Sequence, residues 1–321
     1  MTAVPQRPLL TFAVGITGHR PNKLPAAAAA RAASQLAAVF RAIDAACAVR
    51  RKQDARLYRE GAHRVRLVSS FAEGVDQIAV KMRPSSWEVA AVLPFPREHY
   101  EQDFITRDEK GAILSDHRPQ FAAALAEASE VVELPEASDG APAAYARAGA
   151  FGLRQIDILV AVWDGAEAAG KGGTADVVAQ ALDGGIPVIW IASTREQAPW
   201  LIERLADVER DTPLADATLG PIAEAVDVAL ALPTAAARRL EDFLDETWRR
   251  GNGWTAHEAL GRFPHSWTWR RNLAVGGLPD IRKDWPRFLE SLPDGGGFRG
   301  KLQDLLLPRF AAADAQATHF A

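Results

Sequence analysis

From Ile158 to Val162 the chain reads Ile-Leu-Val-Ala-Val, with Asp157 before it and Trp163-Asp164-Gly165 after it. A run without a polar member suits a strand buried on both faces, and such a strand needs helices above and below its sheet. The pattern recurs upstream and downstream. Strands are expected over Leu9–Ile16, Val65–Ser69, Glu88–Leu93, Val131–Leu134, Asp157–Trp163 and Pro187–Ala192. Helices are expected between them, over Ala26–Val49, Ala72–Met82, Glu98–Arg107, Phe121–Ala128, Ala143–Gln155 and Thr174–Leu182. Strand–helix alternation of this kind implies an α/β domain with a parallel sheet covered on both faces.

This Rossmann-like domain is expected to occupy residues 1–234. Beyond Thr234 the texture changes, and five of the nine tryptophans fall between Trp248 and Trp285. Residues 235–321 therefore read as a small, mostly helical C-terminal unit, with Lys301–Ala321 helical in spacing and without a C-cap signal. That end fits either a natural frayed terminus or a cut from a longer protein.

Composition narrows the function classes. A net charge of −4 leaves no global basic field for nucleic acid or an anionic membrane. The compact basic run Arg50-Arg51-Lys52 reads as a solvated helix end, so no nucleic-acid partner is expected. One cysteine, Cys47, excludes an internal disulfide and a multi-cysteine metal site, and it reads as a small core residue. The seven histidines lack metal-site spacing, so neither metal nor cofactor is expected. With no signal peptide and no apolar run of about 18 residues, a cytoplasmic location is expected.

In a parallel α/β sheet, ligands bind outside the carboxyl ends of the strands. Four segments there carry suitable chemistry. After the first strand come Gly15-Ile16-Thr17-Gly18-His19-Arg20, where Gly18 permits close approach, Arg20 can pair with phosphate and His19 can donate to phosphate or base. After the second come Ser69, Ser70, Glu73, Gly74 and Asp76, where the serines can cap the following helix and Glu73 or Asp76 either suits the helix start or accepts from a ribose hydroxyl. After the third come Pro94, Phe95, Tyr100 and Asp103, where aromatics either stack on a base or fill the core. Last come Asp164, Gly165 and the loop Gly170-Lys171-Gly172-Gly173-Thr174, whose N–H groups, lysine and hydroxyl suit one phosphate. The spacing is that of neither a nucleoside-triphosphate P-loop nor a dinucleotide fingerprint.

Taken in order, G-I-T-G-H-R, S-S-x-A-E-G-x-D, L-P-F-P-x-x-x-Y-x-x-D-F and D-x-L-V-A-V-W-D-G…G-K-G-G-T resemble the SLOG superfamily over about Leu10–Ala192. Its name joins the DNA-processing (SMF/DprA) proteins to the "lonely guy" cytokinin-activating enzymes. The resemblance implies a Rossmann-like fold that binds nucleotides or their derivatives. It also implies kinship with bacterial sensors in antiviral conflict systems, which assemble as homo-oligomers and couple to effectors that include membrane helices. Pro308–Ala321 resembles the segment that precedes such helices, which would tether the intact protein to a membrane.

One departure bears on catalysis. The phosphoribohydrolase branch carries P-G-G-x-G-T-x-x-E, and aligning its Gly-Thr on Gly173-Thr174 puts Val177 where that Glu stands. Asp176 is one residue early, about 100° round the helix. The expected function is thus a sensor that binds a cyclic or ADP-ribose-type nucleotide without turnover. The alternative is a hydrolase of the N-glycosidic bond, with Glu73 stabilising an oxocarbenium-like centre and Arg20 holding phosphate. Arg147 and Arg154 are further candidate phosphate partners that no motif fixes.

Overall fold

A computed structural model describes residues 7–241 apart from 62, 137–138, 168–169, 210–218 and 232–236. All belong to the first of the two units into which the chain divides, Met1–Trp248. The expected tryptophan-rich unit, Pro308–Ala321 included, lies outside the described residues.

The elements in chain order are β1 (Thr11–Gly18), α1 (Ala26–Gln53), β2 (Arg64–Ser69), α2 (Val75–Met82), β3 (Glu88–Leu93), α3 (Arg97–Tyr100), β4 (Ile105–Arg107), β5 (Ile113–Asp116), α4 (Arg118–Leu125), β6 (Glu130–Glu133), α5 (Ala141–Leu153), β7 (Ile158–Trp163), α6 (Thr174–Asp183), β8 (Val188–Ala192), β9 (Trp200–Ile202) and α7 (Leu219–Leu230). Seven strands form one sheet in the order β6-β3-β2-β1-β7-β8-β9, parallel except for the last pair. This is the expected α/β architecture, a parallel sheet flanked by helices.

Alternation along the strands sorts the core into two faces. Phe12, Val14, Ile16, Leu67, Val89, Val160 and Val162 join α1, α2, α4 and α7 in the larger cluster. The opposite face carries Val68, Ala90, Val92, Leu159, Ala161 and Trp163 under α5 and α6. Both faces of β7 are fully covered, which is why its sequence has no polar member.

Helix α1 is long and apolar enough, by length and composition, to cross a membrane. Here its Leu36, Val39, Phe40, Ile43 and Cys47 are buried in the larger cluster. Burial also pushes the Cys47 thiol up to about 12, leaving it an inert core group. Arg50 is not a solvated helix end. It reaches Asp54 at 2.6 Å and Asp227 at 3.2 Å, tying α1 to α7.

One local expectation is corrected. The helix expected over Glu98–Arg107 stops at Phe104, because Phe104 stacks on Phe121 in the core and the chain leaves it extended. Ile105–Arg107 then pairs with Ile113–Asp116 in a separate hairpin. Its turn was readable in Asp108-Glu109-Lys110-Gly111, since Asp108 accepts from Lys110 N at 2.9 Å and Ala112 N at 2.8 Å. At the far edge, where the sequence reading places no element, β9 runs antiparallel on β8 and α7 covers α1 through Ile222 and Val226.

Candidate functional site

Because β6, β3, β2, β1, β7 and β8 are parallel, their carboxyl ends share one edge of the sheet. After β1 the chain moves outward through β2 and β3, then crosses to β7 on the other side of β1. That reversal is a topological switch point, where the flanking loops part and leave a crevice. A cleft of about 410 Å³ opens there, within the usual range for small-molecule sites.

The mouth of the cleft is polar. It is lined by Gly18, His19 and Arg20 from the β1 loop, Ser69, Ser70 and Asp76 from the β2 loop, and Tyr100 after β3. Asp164, Lys171, Gly172, Gly173 and Thr174 line it from the β7 side. The apolar lining includes Gly15, Val68 and Val92 from the sheet and Ala148, Gly149 and Gly152 of α5, together with the larger Leu153, Ile156, Leu159, Trp163 and Val177. A Cβ added at Gly152 would meet nothing within 4 Å, so the missing side chain is part of the space.

The remaining sequence candidates lie outside the cleft lining. Glu73 meets His117 Nδ1 instead of facing the cleft. Gly74 is the N-cap of α2 and packs on the His19 carbonyl. Pro94 is buried, and Phe95, only 4% exposed, packs among His99, Tyr100 and Tyr145. Asp103 contacts Arg20 and Tyr145 from outside. Gly165 sits under Val208, which a Cβ would approach to 2.6 Å. Arg147 donates to the Pro135 carbonyl.

His19 is 7% exposed, and the Asp164 N–H donates to its Nε2 at 3.1 Å. The same nitrogen lies 3.3 Å from Asp164 Oδ1, so Asp164 meets the ring through both its backbone and its side chain. Burial, with Lys23 nearby, holds its pKa below the ordinary value despite the Asp164 carboxylate. Asp164 is itself lowered. Burial pushes it up, but the Ala166 N–H together with His19 and Lys23 outweighs that.

The Gly-rich loop differs from the expectation in one respect. The Gly172 N–H is already donated to Asp176 at 2.7 Å, so Asp176, at the third position of α6, ties down the residue before the N-cap. The first-turn N–H groups at Thr174, Ala175 and Asp176 have no carbonyl four residues back within the helix. They and Lys171 are the groups left for an anion, and Arg20 lines the same cleft while paired with Asp103. Cations Arg20, Lys23 and Lys171 share the lining with Asp76, Asp164 and Glu167, so the cleft is polar without a strong net field.

No family model matches the chain, and no curated protein matches it.

Tyr145 and the small residues of α5 were missing from the sequence reading. Their signal was present, because Gly149 and Gly152 interrupt a helical pattern at a cost of about 1 kcal/mol each against alanine.

Asp76 receives Ser69 Oγ–H at 2.9 Å and Ser70 N–H at 3.1 Å. Burial nevertheless pushes its carboxyl up to about 6, against those hydrogen bonds. Between about pH 4 and 6 the folded state therefore holds the proton more tightly than the unfolded chain, whose Asp titrates near 3.9. The Asp76 contribution to stability grows as pH falls through 6 and is lost as pH rises. His19, lowered in the folded state, works in the opposite sense over part of that window. Comparison with Asp76→Asn removes it. From pH 7 to pH 5, the stability difference should move about 1 kcal/mol in favour of the parent, as urea unfolding would measure. A difference constant with pH would refute the assignment.

Proposed function

We propose that the cleft binds a phosphate-bearing small molecule of the nucleotide class and that the domain acts as its sensor. The observation that carries this reading is a cleft at the switch point whose lining joins polar strand-end groups to an apolar surface opened by the glycines of α5. The lining supplies groups that can hold an anion and an apolar surface that a base could cover. Two carboxylates in the lining have structural partners. Asp76 is held by Ser69 and Ser70, and Asp164 by Ala166 N–H at 3.0 Å. Glu73, the carboxylate that cleavage of a glycosidic bond would use, is paired with His117. These placements favour binding over turnover. The resemblance alone adds homo-oligomeric assembly and coupling to an effector in a bacterial conflict system.

The test is thermal unfolding against a panel of AMP, ADP-ribose and cyclic nucleotides, with chromatography for released base. Ligand at 100 times its Kd adds about 2.7 kcal/mol, which raises Tm by roughly 5–10 °C for a domain of this size. A shift without released base is expected. Released base would replace sensing with hydrolysis, and a panel without any shift would end the nucleotide reading.

A further inference from the structure

The arginine at the cleft mouth is already engaged. Arg20 Nη2 lies 3.5 Å from Asp103 Oδ2, and its guanidinium carbon stands 5.5 Å above the Tyr145 ring. The Tyr145 hydroxyl donates to the same Asp103 oxygen. These three side chains come from the β1 loop, the turn after β3 and α5, so they join the separate segments around the mouth. Arg20 and Tyr145 line the cleft, whereas Asp103 does not.

Two roles for Asp103 make opposite predictions. A carboxylate that positions Arg20 for a ligand would grip it bidentately at about 2.7–2.9 Å. The contact here is single, at the outer limit of a hydrogen bond, between groups 45% and 27% exposed. Such a pair is easily exchanged. Asp103 would not be stranded when Arg20 leaves, because the Tyr145 hydroxyl still satisfies it.

We propose that Asp103 is a built-in counter-ion for Arg20 with which a bound anion must compete. The competitor sets a charge threshold. Pyrophosphate outbids one carboxylate, while orthophosphate, with fewer charges, competes less well. Asp103 is then a specificity-determining residue of the cleft, and the proposal rests on the reading of that cleft as an anion site.

Calorimetric titration with inorganic pyrophosphate and with orthophosphate tests it. Asp103→Asn should bind pyrophosphate about fivefold more tightly than the parent, the release of one partly exposed ion pair. The preference for pyrophosphate over orthophosphate should narrow, and Arg20→Ala should abolish the gain. Tyr145→Phe should weaken binding in the parent, by leaving Asp103 more dependent on Arg20, and should change nothing beside Asp103→Asn. A tyrosine hydroxyl that touched the ligand directly would weaken both. Asp103→Ala repeats the comparison if the asparagine variant misfolds. Unchanged or weaker binding in both Asp103 variants, with the parent still binding, overturns the counter-ion and leaves the anion cleft standing. No pyrophosphate binding by the parent or by any folded Asp103 variant overturns both.

Discussion

Gly152→Leu is expected to lose ligand binding while the protein folds at least as well as the parent. Gly152 lies in the last turn of α5, lines the cleft, and has open space where its Cβ would stand. Glycine within a helix costs about 1 kcal/mol relative to alanine, and leucine is nearly as good a helix former. The new side chain would occupy the slot that the small residues of α5 leave open. A ligand group forced against it meets an overpacked site, and a penalty of about 3 kcal/mol weakens binding more than a hundredfold. The series Ala, Val, Leu at this position should show affinity for the nucleotide that raises Tm falling with side-chain size. Thermal stability should hold or rise across the same series. Parental affinity in the leucine variant would mean that the ligand sits elsewhere, and a collapse in Tm would mean that the space is not open.

Gly74→Ala should do the reverse, damaging the fold before it touches any ligand. Gly74 has φ +100° and ψ −121°, a conformation that side chains resist at a cost of about 1–3 kcal/mol. Its Cβ would also stand 2.5 Å from the His19 carbonyl oxygen, a backbone atom that must move to admit it. Overpacking of that kind adds about 1–3 kcal/mol. Together the two terms lower stability by about 4 kcal/mol, enough to reduce Tm by roughly 10 °C. Gly111→Ala separates them, because Gly111 also has positive φ, +83°, yet nothing lies within 4 Å of its Cβ. It should therefore cost only the conformational part. Equal losses at the two positions would show that the contact between α2 and the β1 loop contributes nothing.

The second of these predictions changes the meaning of a motif. In sequence, Gly18 reads as a turn that lets a ligand come close, and Gly74 as part of a ligand-binding segment. In the structure Gly18 lies against Val75, whose Cβ a substituent would approach to 2.6 Å, and Gly74 lies against His19. The G-H-R and S-S-x-A-E-G-x-D segments interlock with each other, and that is the reason their glycines have no alternatives. The same holds for Trp163-Asp164-Gly165. Trp163 Nε1 donates to Ala166 O at 2.9 Å, Asp164 caps Ala166, and Gly165 makes room for Val208. Much of what looks like ligand chemistry in these loops is the packing that aligns the strand ends.

Legibility followed the range of the interaction. The β7 run, the alternation around it and the segments at the strand ends depend on period, turn chemistry and the rule that strand ends face the crevice. All of these are local, and they placed His19, Arg20, Ser69, Ser70, Asp76, Tyr100, Asp164 and Lys171–Thr174 along one cleft. The glycines of α5 were visible too, but a gap in a helix carries meaning only when the opposing surface is known.

What the sequence by itself determined is the parallel α/β architecture and the edge where its loops converge, because buried strands and their covering helices leave a periodic trace. Only the tertiary structure decided which polar groups are free. Asp176 takes the Gly172 N–H, His117 takes Glu73, and Asp103 with Tyr145 takes Arg20. Except for the first, those partners lie tens of residues apart along the chain. Such pairings arise from packing distant segments together, a relation that composition and spacing do not encode.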